Sequence, residues 1–280
     1  DKHTEEQVKA IIELFPESLS QEDEKGRLPI QRALYLKKGR SSVTFVPLMA
    51  KEGCRLGVGG EESRGGLLLV VPRKGYNTIE WFSLSVLNKE KGLASSDEYD
   101  RKRAQVLEKL RDLNLLKKAD IEEYGLVHDA LHPKCKSRFN FFTSWDPAAL
   151  EARYSQWLVP IHHAIGSDRE EKEKVFEMVL KAGMEYFPER LGFLFCKKDG
   201  ISACKKAFDE IGVDKAMKII RTCIPPSDDH PILHHAIRHA PDLENDIAQY
   251  YPDAVFLRDT NGHTSSQVKF YMNLRRGRRT

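Results

Sequence analysis

Three segments of the chain share one punctuation. Phe15-Pro16-Glu17 leads to Asp23 and Gly26. Phe187-Pro188-Glu189 leads to Asp199 and Gly200. Tyr251-Pro252-Asp253 leads to Asp259 and Gly262. Proline fixes φ and cannot continue a helix, and glycine supplies the positive φ that tight turns need. An aromatic-Pro-acid turn that feeds an Asp-then-Gly turn, three times over, marks internal repeats. Self-similarity of this kind decides the architecture before any local assignment does.

A second pattern sits beyond these glycines. Gly26 precedes Pro29-Ile30-Gln31-Arg32-Ala33, and Gly200 precedes Ala207 at the same interval. Gly75 precedes Phe82 in the same way. Three further segments carry the short motif alone: Gly125-Leu126-Val127-His128-Asp129-Ala130, Val159-Pro160-Ile161-His162-His163-Ala164 and Pro231-Ile232-Leu233-His234-His235-Ala236. Here the sequence resembles the ankyrin-repeat family, whose signature Thr-Pro-Leu-His-x-Ala opens the first helix of each repeat. The ruler of equivalent positions is Ala33, Phe82, Ala130, Ala164, Ala207, Ala236 and Lys269. Several intervals exceed the family's period of about 33 residues, which places insertions. The resemblance implies an all-α fold, an α-solenoid of irregular helix-turn-helix repeats with loop or hairpin insertions. One such domain would span residues 1–280, with insertions near 54–73 and 132–146 and a basic tail at 275–280. The chain enters helix-like sequence at once, the pattern of a piece of something longer.

Each signature residue suits that plan. Pro29 and Pro160 fit a first helical turn, where the missing N–H costs nothing. The histidine can bond a neighbouring loop, and the alanine is small where helices approach closely. Phe82 should therefore open or reorient its joint. Second helices are expected over Val43–Glu52, kinked or started by Pro47 and ended by Gly53, and over Ser96–Leu116. Others are expected over Ala148–Tyr154 behind Asp146-Pro147, over Asp168–Ala182 ending at Gly183, over Val213–Cys223 and over Leu243–Tyr250. Within the insertions, Arg55–Pro72 reads as a Gly-rich loop with one short strand or hairpin. Lys134–Ser144 reads as an aromatic loop: Phe139, Phe141, Phe142 and the nearby Trp145 either tuck in as core or form an exposed contact patch.

Composition narrows the function. Lys plus Arg number 45 against 42 Asp plus Glu, a net +3, so nucleic acid is not the expected partner; only Arg275–Arg279 forms a basic cluster. No apolar run is long enough for a membrane span. The 5 cysteines lack CxxC spacing, which argues against disulfides and structural zinc and for an intracellular, reducing compartment, cytoplasmic or nuclear. The Gly57–Gly66 segment lacks the Gly-Lys-Ser/Thr of a phosphate loop. His235 and His239 share a helix face but have no third ligand or activating carboxylate, so neither a metal nor a cofactor is expected. No nucleophile signature surrounds any cysteine, so no enzyme activity is expected.

The expected function is a non-enzymatic scaffold that binds a protein partner through the concave face of the array. In the ankyrin family the residue before the signature alanine faces that groove. The resemblance therefore nominates Arg32, Trp81, Asp129, His163, Lys206 and His235, with the turn tips Lys25, Lys198 and Asn261. Joint loss of Trp81 and His163 is expected to weaken partner capture without changing stability. The alternatives are a structural subunit docking through its insertions, and an enzyme with a site between repeats and insertions.

Overall fold

A computed structural model describes residues 3–34, 40–84, 96–153, 159–166 and 171–277. These residues are mostly helical, with one two-stranded sheet. The chain divides into two compact units, Asp1–Ala149 and Leu150–Thr280.

The first unit alternates short and long helices. Its elements are α1 (Glu5–Leu14), α2 (Pro29–Ala33), α3 (Arg40–Arg55), α4 (Thr78–Ser83), α5 (Ser96–Asp112), α6 (Lys118–Glu123), α7 (Leu126–Asp129) and α8 (Lys136–Trp145). A capping box starts α1: the Gln7 amide donates to the Thr4 hydroxyl, and the Thr4 amide donates to the Gln7 side chain at 2.9 Å. The longer helices pack in chain order, α3 between α1 and α5, and α5 against α8. The shorter α2, α4 and α7 each pack on the long helix that follows them, and α4 also touches α7.

The second unit repeats this arrangement. It contains α9 (Pro160–Gly166), α10 (Lys172–Tyr186), the hairpin β1 (Lys197–Lys198) and β2 (Ile201–Ser202), then α11 (Ala203–Ile211), α12 (Val213–Cys223), α13 (Ile232–His239), α14 (Glu244–Tyr250) and α15 (Ser265–Gly277). In one row α11 packs on α9, and α13 packs on α15. In the other, α12 packs on α10 and α14. Helix pairs α9–α10, α11–α12 and α13–α14 join the rows.

The recurring punctuation has one geometry. Phe15 (φ −134°, ψ 64°), Phe187 (φ −138°, ψ 56°) and Tyr251 (φ −124°, ψ 61°) each leave a helix in the same conformation. Each donates its amide to the carbonyl four residues back, and the proline that follows opens a 3₁₀ turn. Asp23 and Asp259 likewise build one turn twice. Asp23 Oδ1 accepts the Lys25 and Arg27 amides, at 2.9 and 3.1 Å. Asp259 Oδ1 accepts the Asn261 and His263 amides, both at 3.0 Å. The second carboxylate oxygen takes an arginine in each case, Arg27 at 2.7 Å and Arg238 at 2.5 Å. Asp199 departs from the pattern and sits at φ 51° in the β1–β2 turn.

Ala33, Phe82, Ala130, Ala164, Ala207 and Ala236 are all buried, each in or directly after the first helix of a pair. Lys269 on α15 is exposed and pairs with Glu244 at 2.9 Å. At Phe82 two arginines from neighbouring helices fill the joint. Arg138 donates to the carbonyls of Phe82, Ser83 and Leu84, and Arg103 to those of Trp81, Phe82 and Leu84. Among the described residues Asp100 is the carboxylate bonded to Arg138, at 2.6 Å. Burial and the neighbouring Arg138 hold the Arg103 guanidinium down to about 10.

Several expectations need correction. The aromatic segment is a helix rather than a loop: α8 carries Phe139, Phe141 and Phe142 into the interior, and Trp145 is half-buried. Arg111 lies over Phe141 and Trp145, at 5.4 and 5.8 Å from the ring centroids. Leu67–Val71 forms no strand beyond a single bridge, Val70 to Asn77, and Leu67 and Val71 are buried. Gly53 and Gly183 do not end their helices. Both sit inside them because another glycine backbone crosses there. A Cβ on Gly53 would lie 2.7 Å from the Gly65 carbonyl, and one on Gly183 would lie 2.7 Å from Gly192 Cα. Pro147 opens only a 3₁₀ turn, Pro147–Leu150. Tyr154 and Asp168, the expected end of one helix and start of another, lie outside the described residues, as do Arg278–Thr280 and the side chains of Arg275 and Arg276.

Candidate functional site

In the first unit the nominated residues do not share one environment. Lys25 is exposed at the turn tip, its amide held by Asp23. Arg32 is exposed and reaches the same carboxylate at 3.2 Å. Asp129 is half-buried and accepts from the Ser83 hydroxyl at 3.0 Å. Trp81 is a correction: only 5% exposed, it is interior packing, with the Lys74 ammonium 5.7 Å from its ring centroid. Its truncation would cost about 3–5 kcal/mol of stability, the range for large core aromatics, so a Trp81/His163 double variant cannot isolate binding.

In the second unit the nominated residues are more coherent. His163, Lys206 and His235 are half-buried on α9, α11 and α13, the helices of one row and their neighbours. Lys206 lies over the last turn of α9, 3.4 Å from the His162 carbonyl. Burial lowers the Lys206 pKa, opposed by Glu210 and reinforced by Lys198 and Lys172. His235 stacks on Phe195 with ring centroids 6.4 Å apart, and His239 lies 5.9 Å away. Burial first, then His239 and Arg238, hold the His235 imidazole down at about 4. Lys198 is half-buried in β1, and Asn261 is exposed in the Asp259 turn.

His162 on α9 and His234 on α13 each reach the backbone of a neighbouring turn. The His234 ring bonds the His263 carbonyl at 2.7 Å, and the His162 ring meets the backbone of Ile201, the corresponding hairpin position. Gln31, which replaces the histidine, donates to the Leu69 carbonyl at 3.2 Å.

One cleft here was not apparent from the sequence beyond Asn261. It holds about 660 Å³ between α13, the Asp259 turn and α15, and is lined by Arg238, Asn261, His263, Tyr271, Met272 and Leu274 among others. The position equivalent to the signature alanine is Lys269 on α15, so motif matching stops short of the residues that form its wall.

The chemistry on offer is modest. Cys196 Sγ lies 3.6 Å from His162 Nδ1, but burial pushes that thiol up to about 11, so it is not a thiolate at neutral pH. All five cysteines are free; Cys135 and Cys204 are buried and Cys54 is exposed. Among the described residues no three His, Cys, Asp or Glu side chains gather in a metal-holding group, and no helix is long and apolar enough to cross a membrane. Comparison with family models, with curated proteins and with solved structures finds no match for this chain.

Proposed function

We propose that this chain is a divergent ankyrin-like α-solenoid that binds another protein without chemistry, through the face carrying its hairpin tips and first helices. The observation that supports the reading best is the residue-by-residue equivalence of the Asp23 and Asp259 turns, combined with buried small residues at the ruled positions of successive first helices. Stacked repeats hold such a face rigid, so docking orders little of it. In the second unit the face comprises His163, Lys198, Lys206, His235 and Asn261. In the first it comprises Lys25, Arg32 and the edge of Asp129.

Selection of displayed peptides against the intact protein tests this. The expected outcome is an enriched set whose binding falls in a His163→Ala/His235→Ala variant and persists in a Lys181→Ala/Lys218→Ala variant on the other row. Equal binding to both variants would reject the face.

A further inference from the structure

We propose that the hairpin face of the second unit takes an acidic peptide segment, held by Lys197, Lys198 and Lys206. This inference rests on the protein-binding reading above and names the partner's chemistry.

The argument is one of unbalanced charge. Most basic side chains around this face are neutralised locally. Lys172 pairs with Glu210 at 2.6 Å, Lys205 with Asp209 at 3.1 Å, and Arg238 with Asp259 at 2.5 Å. Lys197, Lys198 and Lys206 have no carboxylate within ion-pair distance among the described residues. They are also neighbours. The short hairpin pairs Lys197 with Ser202 and Lys198 with Ile201, directly before α11, which carries Lys206 and packs on α9. Asp199 is the one acidic side chain of the same hairpin. Lys206 is half-buried over the last turn of α9, and Glu210, the carboxylate that acts on it, is itself paired with Lys172, so an incoming carboxylate would still find an unpaired ammonium. The lysines are spread over a hairpin tip and a helix rather than lined along one groove, which suits separate carboxylates on a peptide better than a regular phosphate backbone.

The test is fluorescence anisotropy of the full chain with a labelled peptide of repeating Glu-Gly-Ser units, alongside a repeating Gln-Gly-Ser peptide and an oligo-dT strand. The expected result is salt-sensitive binding of the Glu peptide, no binding of the Gln peptide and weaker binding of oligo-dT. Lys197→Glu/Lys198→Glu/Lys206→Glu should weaken the Glu peptide about tenfold or more, the sum of three modest ion pairs. Because Lys206 packs on α9, the Lys197→Glu/Lys198→Glu variant, confined to the hairpin, should show a smaller loss in the same direction. Lys181→Glu/Lys218→Glu, on α10 and α12, should leave affinity unchanged. Binding equal for Glu and Gln peptides, equal loss in the α10/α12 variant, or tighter binding of oligo-dT through the same lysines would overturn the proposal. Displayed peptides that compete at this face without acidic character would remove the acidic chemistry alone. Displayed peptides indifferent to the face would remove the protein-binding reading itself.

Discussion

Single residues in this chain carry sharply different costs. Asp100 and Arg138 are both about 3% exposed, and their ion pair anchors the end of α4 to α5 and α8. Asp100 also accepts the Ser137 amide at 2.5 Å. Removing one member strands the other in the interior, so Asp100→Ala, which takes the bonded carboxylate from the buried Arg138 guanidinium, should cost about 3–5 kcal/mol in urea unfolding. A loss below about 1 kcal/mol would mean that water reaches the cluster. Gly183 offers a test by sign. In an exposed helix, Gly→Ala stabilises by roughly 0.5–1 kcal/mol. At Gly183 the new methyl meets the Gly192 backbone, so Gly183→Ala should destabilise by about 1–3 kcal/mol. Stabilisation would show that the crossing is loose. His235 governs a pH response. An imidazole titrates near 6.5 in an unfolded chain, whereas burial, His239, Arg238, His234 and His230 hold this one at about 4. Between those values the unfolded chain binds a proton that the native chain does not, so this contribution is complete above 6.5 and is lost as pH falls towards 4. His235→Phe, which keeps a ring against Phe195, should flatten the decline in stability over that window. An unchanged slope would assign the decline to other groups.

At the scale of elements, turns were more legible than helix ends. The aromatic-Pro and Asp-Gly turns rest on local rules, proline's fixed φ and the Asp side chain's reach to its own backbone, and those rules operate without tertiary context. The span Val213–Cys223 was readable because Gly212 and the Pro225-Pro226 pair bracket it. Gly53 and Gly183 misled because a glycine needed for close approach is written the same way as a glycine that caps. The spacing of Phe139, Phe141 and Phe142 shows no clean amphipathic stripe, and the segment reads locally as a loop. A helix buried against α5 and beside α7 needs none. Pro47 is a further case in which context supplies what the local rule removes. It leaves the Val43 carbonyl without its helical donor, and the Lys109 ammonium of α5 fills the gap at 3.2 Å. Of the nominated residues, the placement of His163, Lys206 and His235 on α9, α11 and α13 was legible in the motif spacing. The burial of Trp81 was not, since motif spacing alone does not say which face of a helix stays open. The turn itself yields a prediction: Asp259→Ala strips two backbone amides and Arg238 of their acceptor and should cost about 1–3 kcal/mol. Asp259→Asn, which keeps one acceptor oxygen for the amides, should cost less, as read by thermal melts. Equal losses would place the weight on the Arg238 ion pair.

Across the whole molecule, the two compact units set how a local defect spreads. Arrays of stacked helix pairs couple mainly to nearest neighbours, so stability behaves as a sum of repeat and interface terms rather than as one block. Packing within each unit here joins helices close in sequence, α3 on α5, α5 on α8, α10 on α12 and α12 on α14. Buried charge is concentrated at the α4–α5–α8 junction of the first unit, whereas the glycine crossing between α10 and its following turn belongs to the second. A defect in either place should therefore remain in its own unit. Hydrogen exchange read by mass spectrometry can follow this helix by helix, since local opening reports the stability of each cooperative segment. Asp100→Ala should speed exchange in α4, α5, α7 and α8 and leave α10, α12 and α14 close to the parent chain. Gly183→Ala should produce the reverse pattern. Uniform acceleration in both variants would mean that the units unfold as one, and the nearest-neighbour account of this chain would then be wrong.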